Sequence, residues 1–380
     1  MIVGIAKESI SGERRVAVVP DVVKALIKKG HEVRFQAGAG VESGHPDDQY
    51  VEAGATAVGS FEELASSSDI LAKIQAPTDA EQGSLSARNT VFSLLRPLDE
   101  AERISALAAR GVNAFSLELM PRITRAQSMD VLSSQSTIAG YRAVLLAASA
   151  LPRILPMMVT AAGTLQPAKV LVIGAGVAGL QALGTAKRLG AVTLSYDTRA
   201  AVKEQVESLG AKFVELDLDT GDSEDSGGYA KAQTEEFYER QRSELAKHIA
   251  GCDIVITTAL VPGQPAPRLV TEDAVRAMRP GSVVVDLAAE KGGNCDCTVA
   301  AEDTMAHGVT IIGRTNLPAE IPAHASQMFA KNLLTFLDHL FDDEGSLQID
   351  LEDEITAGTL VARDGKVVHP MLLERLGSQH

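Results

Sequence analysis

The stretch Val170-Leu-Val-Ile-Gly174-Ala-Gly176-Val-Ala-Gly179 precedes an amphipathic segment that runs to Gly190. An apolar run, a glycine-rich turn and a helical segment follow one another, and this context gives a GxGxxG motif its meaning. Gly174 permits the tight turn, Gly176 lets a pyrophosphate approach the backbone, and Gly179 allows the helix to pack on the strand. The N–H groups that open such a helix bind anions. The stretch therefore predicts a dinucleotide-binding Rossmann fold.

Apolar runs of strand length alternate with helical segments on both sides of this turn. Such near-continuous apolar strands, separated by helices, are typical of a parallel sheet buried on both faces. A polar run with three glycines, Asp217–Gln233, is too long for a tight connection and predicts a mobile loop. The predicted strands are Lys169–Ile173, Val192–Tyr196, Lys212–Glu215, Asp253–Thr258, Ser282–Leu287 and Val309–Ile312.

The N-terminal region of the chain repeats the strand and helix alternation. It opens with MIVGIAKE, which reads as a first strand and not as a signal peptide. A helix with Pro20 and Asp21 at its start and Gly30 past its end follows, and then the strand EVRFQ. Further strands are predicted at Asp69–Ile74, Thr90–Leu95 and Asn113–Leu117.

Two long helices are expected to connect these regions. Most of Gln127–Leu151 predicts one helix that crosses between domains, and Ala323–Leu340 predicts a second helix that leads back. A final hairpin is predicted from Ile349–Ile355 and Thr359–Val368, around the turn Asp364-Gly365.

The fold class expected from these elements is α/β. It has two Rossmann-like domains with parallel sheets joined by long helices, and the NAD site lies in the cleft. The predicted domains are residues 1–135 plus 327–380, a discontinuous α/β domain, and residues 136–326, the NAD(H)-binding Rossmann domain.

The composition excludes several classes of protein. The chain has 380 residues and a formal net charge of −15, which repels nucleic-acid phosphates and anionic lipid headgroups. Its cysteines, Cys252, Cys295 and Cys297, form no disulfide framework and lack partners at metal-ligand spacing. The most apolar stretch, Ala143–Val159, is interrupted by two prolines and an arginine. We expect reduced thiols, no metal, no nucleic acid and no direct membrane insertion.

Asp197 ends the second predicted strand of the dinucleotide fold, 18 residues after Gly179. A carboxylate there accepts hydrogen bonds from the adenosine ribose and repels a 2′-phosphate, which favours NAD(H) over NADP(H). The alternative is an acidic residue that only caps a turn. Arg199 nearby could soften the discrimination by stacking on adenine or pairing with phosphate.

Two further segments have open interpretations. The small and apolar residues of Thr257–Gly263 could form a wall over the nucleotide, or an ordinary strand end with a Pro-Gly turn. At the start of the long helix, Arg122 could clamp a phosphate or carboxamide while Gln127 and Asp130 orient it. These three residues could equally cap the helix.

The second of these segments resembles a known family. Residues 121–144, PRITRAQSMDVLSSQSTIAGYRAV, are similar to the Arg-Gln-Asp loop of the NAD(H)-binding component of proton-translocating transhydrogenases. The resemblance continues through IGAGVAGLQA, AKRLGA, AVKEQVESLGAKF, GGYAK, ITTALVPGQPAP and VVVDLAAEKGGNC, and so covers nearly the whole chain.

The resemblance implies a function with partners. One subunit holds NADH, another holds NADP⁺, and hydride passes directly between the nicotinamides, coupled to proton movement through a membrane component. The expected partners are NADP(H)-binding and membrane-spanning transhydrogenase subunits, together with a second copy of this chain in a homodimer. The expected location is cytoplasmic, with peripheral association to the inner membrane through those subunits.

The resemblance also implies site residues. One group orients the nicotinamide and its ribose, a second holds the pyrophosphate, and a third holds the adenosine or closes over it. The first group is Arg122, Gln127, Asp130 and Ser133, taken as catalytic, with Ile123 and Thr124 lining the loop; the second is Gly174, Gly176, Val177 and Gly179; the third is Asp197, Thr198, Arg199, Gly228, Tyr229, Gln241 and Leu260. One departure from relatives is Gln233, which stands where methionine is frequent and puts an apolar lid contact in doubt.

Alanine dehydrogenase is the competing resemblance. Arg15 and Lys73 match positions that bind and activate pyruvate there, and Glu290 stands where that enzyme has an acid. Arg96, however, occupies the place of its catalytic histidine, and loss of a general acid or base costs ~10²–10⁴-fold in rate.

Transfer between two nicotinamides needs no such group, only close approach and correct ring orientation. The expected function is therefore transhydrogenation, with Arg15 and Lys73 as inherited structural or ionic residues. An alanine dehydrogenase-like oxidoreductase is the second hypothesis. A non-catalytic NAD(H) sensor is the third, and the intact Arg-Gln-Asp loop argues against it.

Overall fold

The computed structural model describes residues 1–216, 234–261 and 263–377. The chain divides into two compact units: unit 1 is Met1–Gln135 with Pro318–His380, and unit 2 is Ser136–Leu317. The sequence-based division placed the return to the first domain at residue 327, inside a helix that begins at Pro322. The structure instead divides the chain in the loop before that helix, because its apolar face packs in the core of unit 1.

Unit 1 is built on a sheet that contains eight strands among the described residues, in the order β17-β16-β6-β5-β4-β1-β2-β3. Strands and helices are numbered in chain order through both units. The strands are β1 Ile2–Ile5, β2 Glu32–Gln36, β3 Thr56–Val58, β4 Ile70–Gln75, β5 Thr90–Leu94, β6 Asn113–Ser116, β16 Leu360–Arg363 and β17 Lys366–Val367. The helices are α1 Pro20–Lys28, α2 Asp47–Glu52, α3 Phe61–Ser67, α4 Asp79–Gln82, α5 Ala101–Ala109, α11 Pro322–Leu340, α12 Glu354–Thr359 and α13 Pro370–Gly377.

The six strands β1 to β6 run parallel in the order 3-2-1-4-5-6, which is the order of a dinucleotide-binding fold. Strand β16 adds to β6 in the antiparallel sense and β17 pairs with β16. The prediction of a parallel Rossmann-like sheet is therefore confirmed, with an antiparallel extension at one edge.

The predicted C-terminal hairpin is right in its turn and wrong in its first strand. Asp364 and Gly365 both have positive φ, 49° and 79°, as a two-residue hairpin turn requires. Its strands, however, are β16 and β17, both C-terminal to Ile349–Ile355. Asp353 ends the predicted strand and instead caps helix α12, because its Oδ1 accepts the N–H of Ile355 at 2.9 Å.

Unit 2 carries its own sheet, in which seven strands of the described chain follow the order β11-β10-β9-β12-β13-β15-β14. Its strands are β9 Lys169–Ile173, β10 Val192–Tyr196, β11 Lys212–Phe213, β12 Ile254–Thr257, β13 Val283–Asp286, β14 Asp303–Ala306 and β15 Val309–Ile312, with a separate hairpin of β7 Met158–Thr160 and β8 Gly163–Leu165. Its helices are α6 Val131–Ala150, which begins in unit 1, and α7 Val177–Arg188, α8 Lys203–Ser208, α9 Glu235–Ile249 and α10 Glu272–Ala277.

The six predicted strands of this sheet are all present, and they run parallel in the order 3-2-1-4-5-6. The antiparallel edge strand β14 was not predicted. It has four residues, alternately exposed and half-buried, so it lacks the apolar run that identified the others. Helices α6, α7 and α8 contribute to the core on one face of the sheet, and α9 and α10 to the core on the other.

Helix α6 is shorter than predicted at its start. Residues Thr124–Met129 form a 3₁₀ helix, and the α-helix begins only at Val131. Within unit 2, α6 crosses the start of α7 at Gly140, where any side chain would overlap the carbonyl oxygen of Ala178. Over the residues that the structure describes, no helix is both long and apolar enough to span a membrane.

Candidate functional site

The glycine turn between β9 and α7 has a separate physical reason for each of its glycines. Gly174 has φ 100°, and a side chain there would overlap the hydroxyl of Thr258. A side chain at Gly179 would overlap the carbonyl oxygen of Gly174, so only glycine lets the helix pack on the turn. Gly176 is the N-cap of α7, and among the described residues no heavy atom lies within 4 Å of where its Cβ would be. That open space at a helix N-terminus fits a pyrophosphate.

Asp197 follows β10 and fixes the same turn. Its Oδ2 accepts the N–H of Ala175 at 2.7 Å, while Arg199 donates from Nε to Oδ1 at 3.0 Å and from Nη2 to Oδ2 at 2.9 Å. The predicted adenosine residues Asp197 and Arg199 are thus brought together as an ion pair, with half-buried Thr198 between them. The pairing of Arg199 with a carboxylate was not among the roles predicted for it.

Gln241 has a different position from the other predicted contacts. It is only 2% exposed, and its Nε2 donates to the phenol oxygen of Tyr196 at 2.9 Å. Burial raises the pKa of the Tyr196 phenol to about 12. Gln241 therefore lies behind Tyr196, at the end of the strand that leads to Asp197, and a direct contact with nucleotide stays a prediction.

The strand end at β12 presents Leu260, which is 43% exposed. Just before it, the hydroxyl of Thr258 donates to the carbonyl oxygen of Gly174 at 3.0 Å. The segment after β12 is therefore in contact with the glycine turn, as the rule for ligand sites at the carboxyl ends of parallel strands predicts. Gly228, Tyr229 and Gln233, on the predicted mobile loop, lie outside the described residues.

The Arg122–Ser133 segment of unit 1 has two faces. In a 3₁₀ helix residues three apart lie above one another, and Ala126 and Met129 are both buried in the core. Thr124 and Gln127 are three apart on the other side and are exposed. Arg122 before them is exposed and Ile123 is half-buried.

Asp130 and Ser133 form a helix cap at the end of this segment. The Asp130 Oδ1 accepts the backbone N–H of Ser133 at 3.0 Å, and its Oδ2 accepts the Ser133 hydroxyl at 2.6 Å. Of the two interpretations of this cluster, the capping one is therefore realised for Asp130. It does not apply to Arg122 and Gln127, whose side chains point away from the core.

Asn332 on α11 holds this segment from below and was not predicted. Its Nδ2 donates to the carbonyl oxygen of Ser128 at 2.7 Å, and its Oδ1 accepts the hydroxyl of Ser134 at 2.6 Å. A signal was available, because Asn332 stands between Phe329 and Leu333 on the apolar face of an amphipathic helix. A buried amide at such a position needs partners, and here it finds them on both sides of the loop.

The two cations shared with alanine dehydrogenase are both paired within unit 1. Buried Arg15 donates from Nη2 to Glu13 Oε2 at 2.6 Å and from Nη1 to the amide oxygen of Gln135 at 2.8 Å. Buried Lys73 donates to both oxygens of Glu81, at 2.9 and 3.0 Å. The arrangement fits the prediction that these two residues have a structural or ionic role.

Arg96, in the place of the histidine, has a left-handed backbone with φ 52° and an exposed side chain. The carboxylate of Glu118 holds it there, with Oε1 accepting the Arg96 N–H at 2.5 Å and Oε2 accepting the Leu95 N–H at 3.2 Å. Burial raises the pKa of Glu118. Glu290, in unit 2, is exposed and accepts the N–H of Asn316 at 2.8 Å.

Comparison with known proteins gives matches over the whole chain. Two family models match, alanine dehydrogenase/PNT N-terminal domain at residues 4–139 and alanine dehydrogenase/PNT C-terminal domain at residues 143–370. An NAD(P) transhydrogenase subunit alpha protein of Rhodospirillum rubrum is 49% identical over 98% of this chain and 99% of its own length.

Two solved structures are similar in fold. The transhydrogenase from Sinorhizobium meliloti has 47% identity and a TM-score of 0.87, covering 97% of this chain and 100% of that chain. An L-alanine dehydrogenase has 26% identity and a TM-score of 0.83, covering all of both chains.

Proposed function

We propose a function from a plain premise: this chain belongs to the alanine dehydrogenase/PNT family. Within that family of dinucleotide-binding oxidoreductases, its role is that of a transhydrogenase alpha subunit. The finer proposal is that the chain binds NAD(H) and passes hydride directly between NADH and NADP⁺ held on a partner subunit. This transfer is coupled to proton translocation by a membrane-spanning subunit.

One observation carries the proposal. The Arg122–Ser133 segment turns Arg122, Thr124 and Gln127 outward on a 3₁₀ helix that is anchored by buried residues and by the Asn332 amide. Its outward groups are a guanidinium, a hydroxyl and an amide, which hydrogen bond without exchanging protons near neutral pH. Such groups can orient a ring and are poorly suited to acid–base catalysis.

The chain's own residues then have three tasks. Gly174, Gly176, Val177 and Gly179 bind the pyrophosphate at the start of α7, where backbone N–H groups and the helix dipole favour an anion. The Asp197–Arg199 pair, with Thr198, binds the adenosine. Bound NADH supplies the hydride. Arg122 and Gln127, on a base fixed by Asp130 and Ser133, orient the nicotinamide carboxamide so that one face is presented to the acceptor.

Two observations favour this proposal over alanine dehydrogenation. Arg15 and Lys73 each hydrogen bond to a carboxylate of unit 1, so their charges are already compensated. Arg96 offers a guanidinium, which remains protonated in proteins and cannot serve as a general base. Oxidation of an amino acid would therefore lack its proton acceptor at this position.

A mixing experiment tests the proposal. The chain with NADH is combined with an NADP(H)-binding transhydrogenase subunit and an NADP⁺ analogue whose reduced form absorbs at a distinct wavelength. We expect reduction of the analogue only when both proteins are present, and no NAD⁺ reduction by this chain with alanine. Alanine-dependent turnover by the pure chain, or no turnover by the mixture, would refute the proposal.

The partners follow from the same proposal. The NADP(H)-binding and membrane-spanning subunits supply the second nucleotide site and the proton path, and this chain forms a homodimer. Its place is then on the cytoplasmic side of the inner membrane, attached through those subunits. Sedimentation of the chain alone and with membranes that contain the partner subunits would test both statements.

A further inference from the structure

A single buried amide fixes both sides of the segment that carries Leu260. Asn294 is fully buried, and its Nδ2 donates to the carbonyl oxygens of Ala259 at 2.9 Å and Pro267 at 2.8 Å. Its Oδ1 accepts the N–H of Ala259 at 3.0 Å. The carboxamide therefore pairs with both backbone groups of Ala259, as a neighbouring strand would, and also with the far side of the segment.

A buried carboxylate holds the backbone of Asn294 in turn. Asp286, at the end of β13, is fully buried, and its Oδ2 accepts the N–H groups of Asn294 at 2.7 Å and Cys295 at 3.0 Å, and the Thr298 hydroxyl at 2.8 Å. Its Oδ1 accepts the Thr257 hydroxyl at 2.9 Å. This network of satisfied hydrogen bonds gives the Asn294 amide one position.

The segment that Asn294 holds is also the one that touches the glycine turn. A Cβ at Gly174 would lie 3.4 Å from the backbone nitrogen of Ala259 and would overlap the side chain of Thr258. A shift of Ala259 therefore moves the residues packed against the turn on one side and exposed Leu260 on the other. Both the turn and Leu260 belong to the proposed NAD(H) site.

We infer that Asn294 is a positioning residue for NAD(H) binding. It acts through Ala259, which it holds so that Thr258 and Leu260 form a fixed wall beside Gly174. Asn294 is itself buried beneath that wall, and it contributes no atom to the nucleotide. This inference rests on the proposed function, because it assigns a task within the same NAD(H) site.

The test compares Asn294→Ala with a matched control in unit 1. Asn89 is also fully buried, and its Nδ2 donates to the carbonyl oxygens of Ala65 at 2.9 Å and Ser68 at 3.0 Å. Asn89→Ala therefore removes the same kind of amide from two buried carbonyls in the other sheet. Both variants should unfold at lower temperature than the unaltered chain, so loss of stability alone does not distinguish them.

The readouts are the NADH dissociation constant and the hydride-transfer rate at saturating NADH with the partner subunit. For Asn294→Ala we expect the dissociation constant to rise about tenfold, since two buried carbonyls lose their donor and the wall shifts. The rate at saturation should stay within about twofold, and Asn89→Ala should leave both quantities within about twofold. If the alanine variant does not fold, Asn294→Ser carries the same test with a smaller change in volume.

Two outcomes would overturn the inference. One is NADH affinity of the folded Asn294 variant equal to that of the unaltered chain, and the other is an equal loss of affinity in Asn89→Ala. Failure of the unaltered chain to bind NADH would instead refute the proposed function, and this inference with it.

Discussion

Asp197 and Arg199 form an ion pair in which each carboxylate oxygen accepts one guanidinium hydrogen bond, at 3.0 Å to Oδ1 and 2.9 Å to Oδ2. The same carboxylate accepts the N–H of Ala175 in the glycine turn at 2.7 Å. One side chain therefore fixes the turn, compensates a neighbouring cation and is the proposed acceptor for the ribose hydroxyls. Any ribose must share these oxygens with Arg199.

This sharing predicts a change of nucleotide preference in Asp197→Ala. We expect NADH affinity to fall about tenfold, because the ribose loses its charged acceptor and the turn loses the Ala175 contact. NADPH affinity should fall less or rise, because Arg199 becomes available to a 2′-phosphate. Calorimetric titration with both nucleotides measures the ratio, with exposed Glu204→Ala on α8 as a control for lost charge. An unchanged ratio would argue against the adenosine assignment.

Two glycines in helix α7 should respond in opposite ways to alanine. A Cβ at Gly179 would overlap the carbonyl oxygen of Gly174, whereas a Cβ at Gly184 would meet no described heavy atom within 4 Å. Gly184→Ala should therefore stabilise the chain by about 0.5–1 kcal/mol, the usual difference in helix propensity. Gly179→Ala should lower stability and abolish measurable NADH binding. Thermal unfolding and NADH titration of both variants check this, and equal behaviour would contradict it.

Most of the sheet architecture could be predicted because parallel strands are apolar on both faces. The runs at β9 and β12, for example, have no polar face that could confuse a strand with a loop. Strand β14 escaped because its residues are alternately exposed and half-buried. The predicted strand ending at Ile355 failed because Asp353 caps a helix more favourably than it extends a strand.

The candidate site could be predicted only where glycine or charge marks it. Gly174 and Asp197 stand at fixed offsets from apolar strands, so their task can be inferred from the sequence. Asn294 and Asn332 act through partners far away in sequence or in another element, which no spacing reveals. The ion pair of Arg199 likewise depends on the rotamer that the fold imposes.

Gln127 offers a test of ring orientation. It is exposed on the 3₁₀ helix, opposite the buried Ala126 and Met129. Gln127→Asn shortens the amide by one methylene, so we expect NADH affinity within about twofold but a hydride-transfer rate that falls about tenfold or more. Single-turnover kinetics with the partner subunit measure the rate, and exposed Gln205→Asn on α8 is the control. A normal rate in Gln127→Asn would exclude the positioning role.

Glu8 gives unit 1 a stability that depends on pH. Burial raises the pKa of Glu8 from 4.5 to about 7, although the nearby Lys73 ammonium opposes the shift. The folded state then binds this proton more tightly than the unfolded state. The stabilising contribution is therefore complete below pH 4.5 and is lost as pH rises through about 7.

Glu8→Gln should remove this dependence. Between pH 5 and 8 the unaltered chain should lose about 2 kcal/mol more of its free energy of unfolding than the variant does. Urea unfolding at the two pH values measures the difference. Exposed Glu102→Gln on α5 should follow the unaltered chain. Parallel losses in the unaltered chain and in Glu8→Gln would contradict the prediction.

The contact between Gly140 and the carbonyl of Ala178 also has an evolutionary consequence. Alanine is ordinarily the best residue in a helix, yet at this position of α6 a single methyl group would collide with the backbone that opens α7. Ordinary drift toward better helix formers is therefore closed at position 140. A library of all substitutions there, selected for growth that depends on this chain, should return glycine alone, whereas neighbouring Tyr141, which is 40% exposed, should accept many residues.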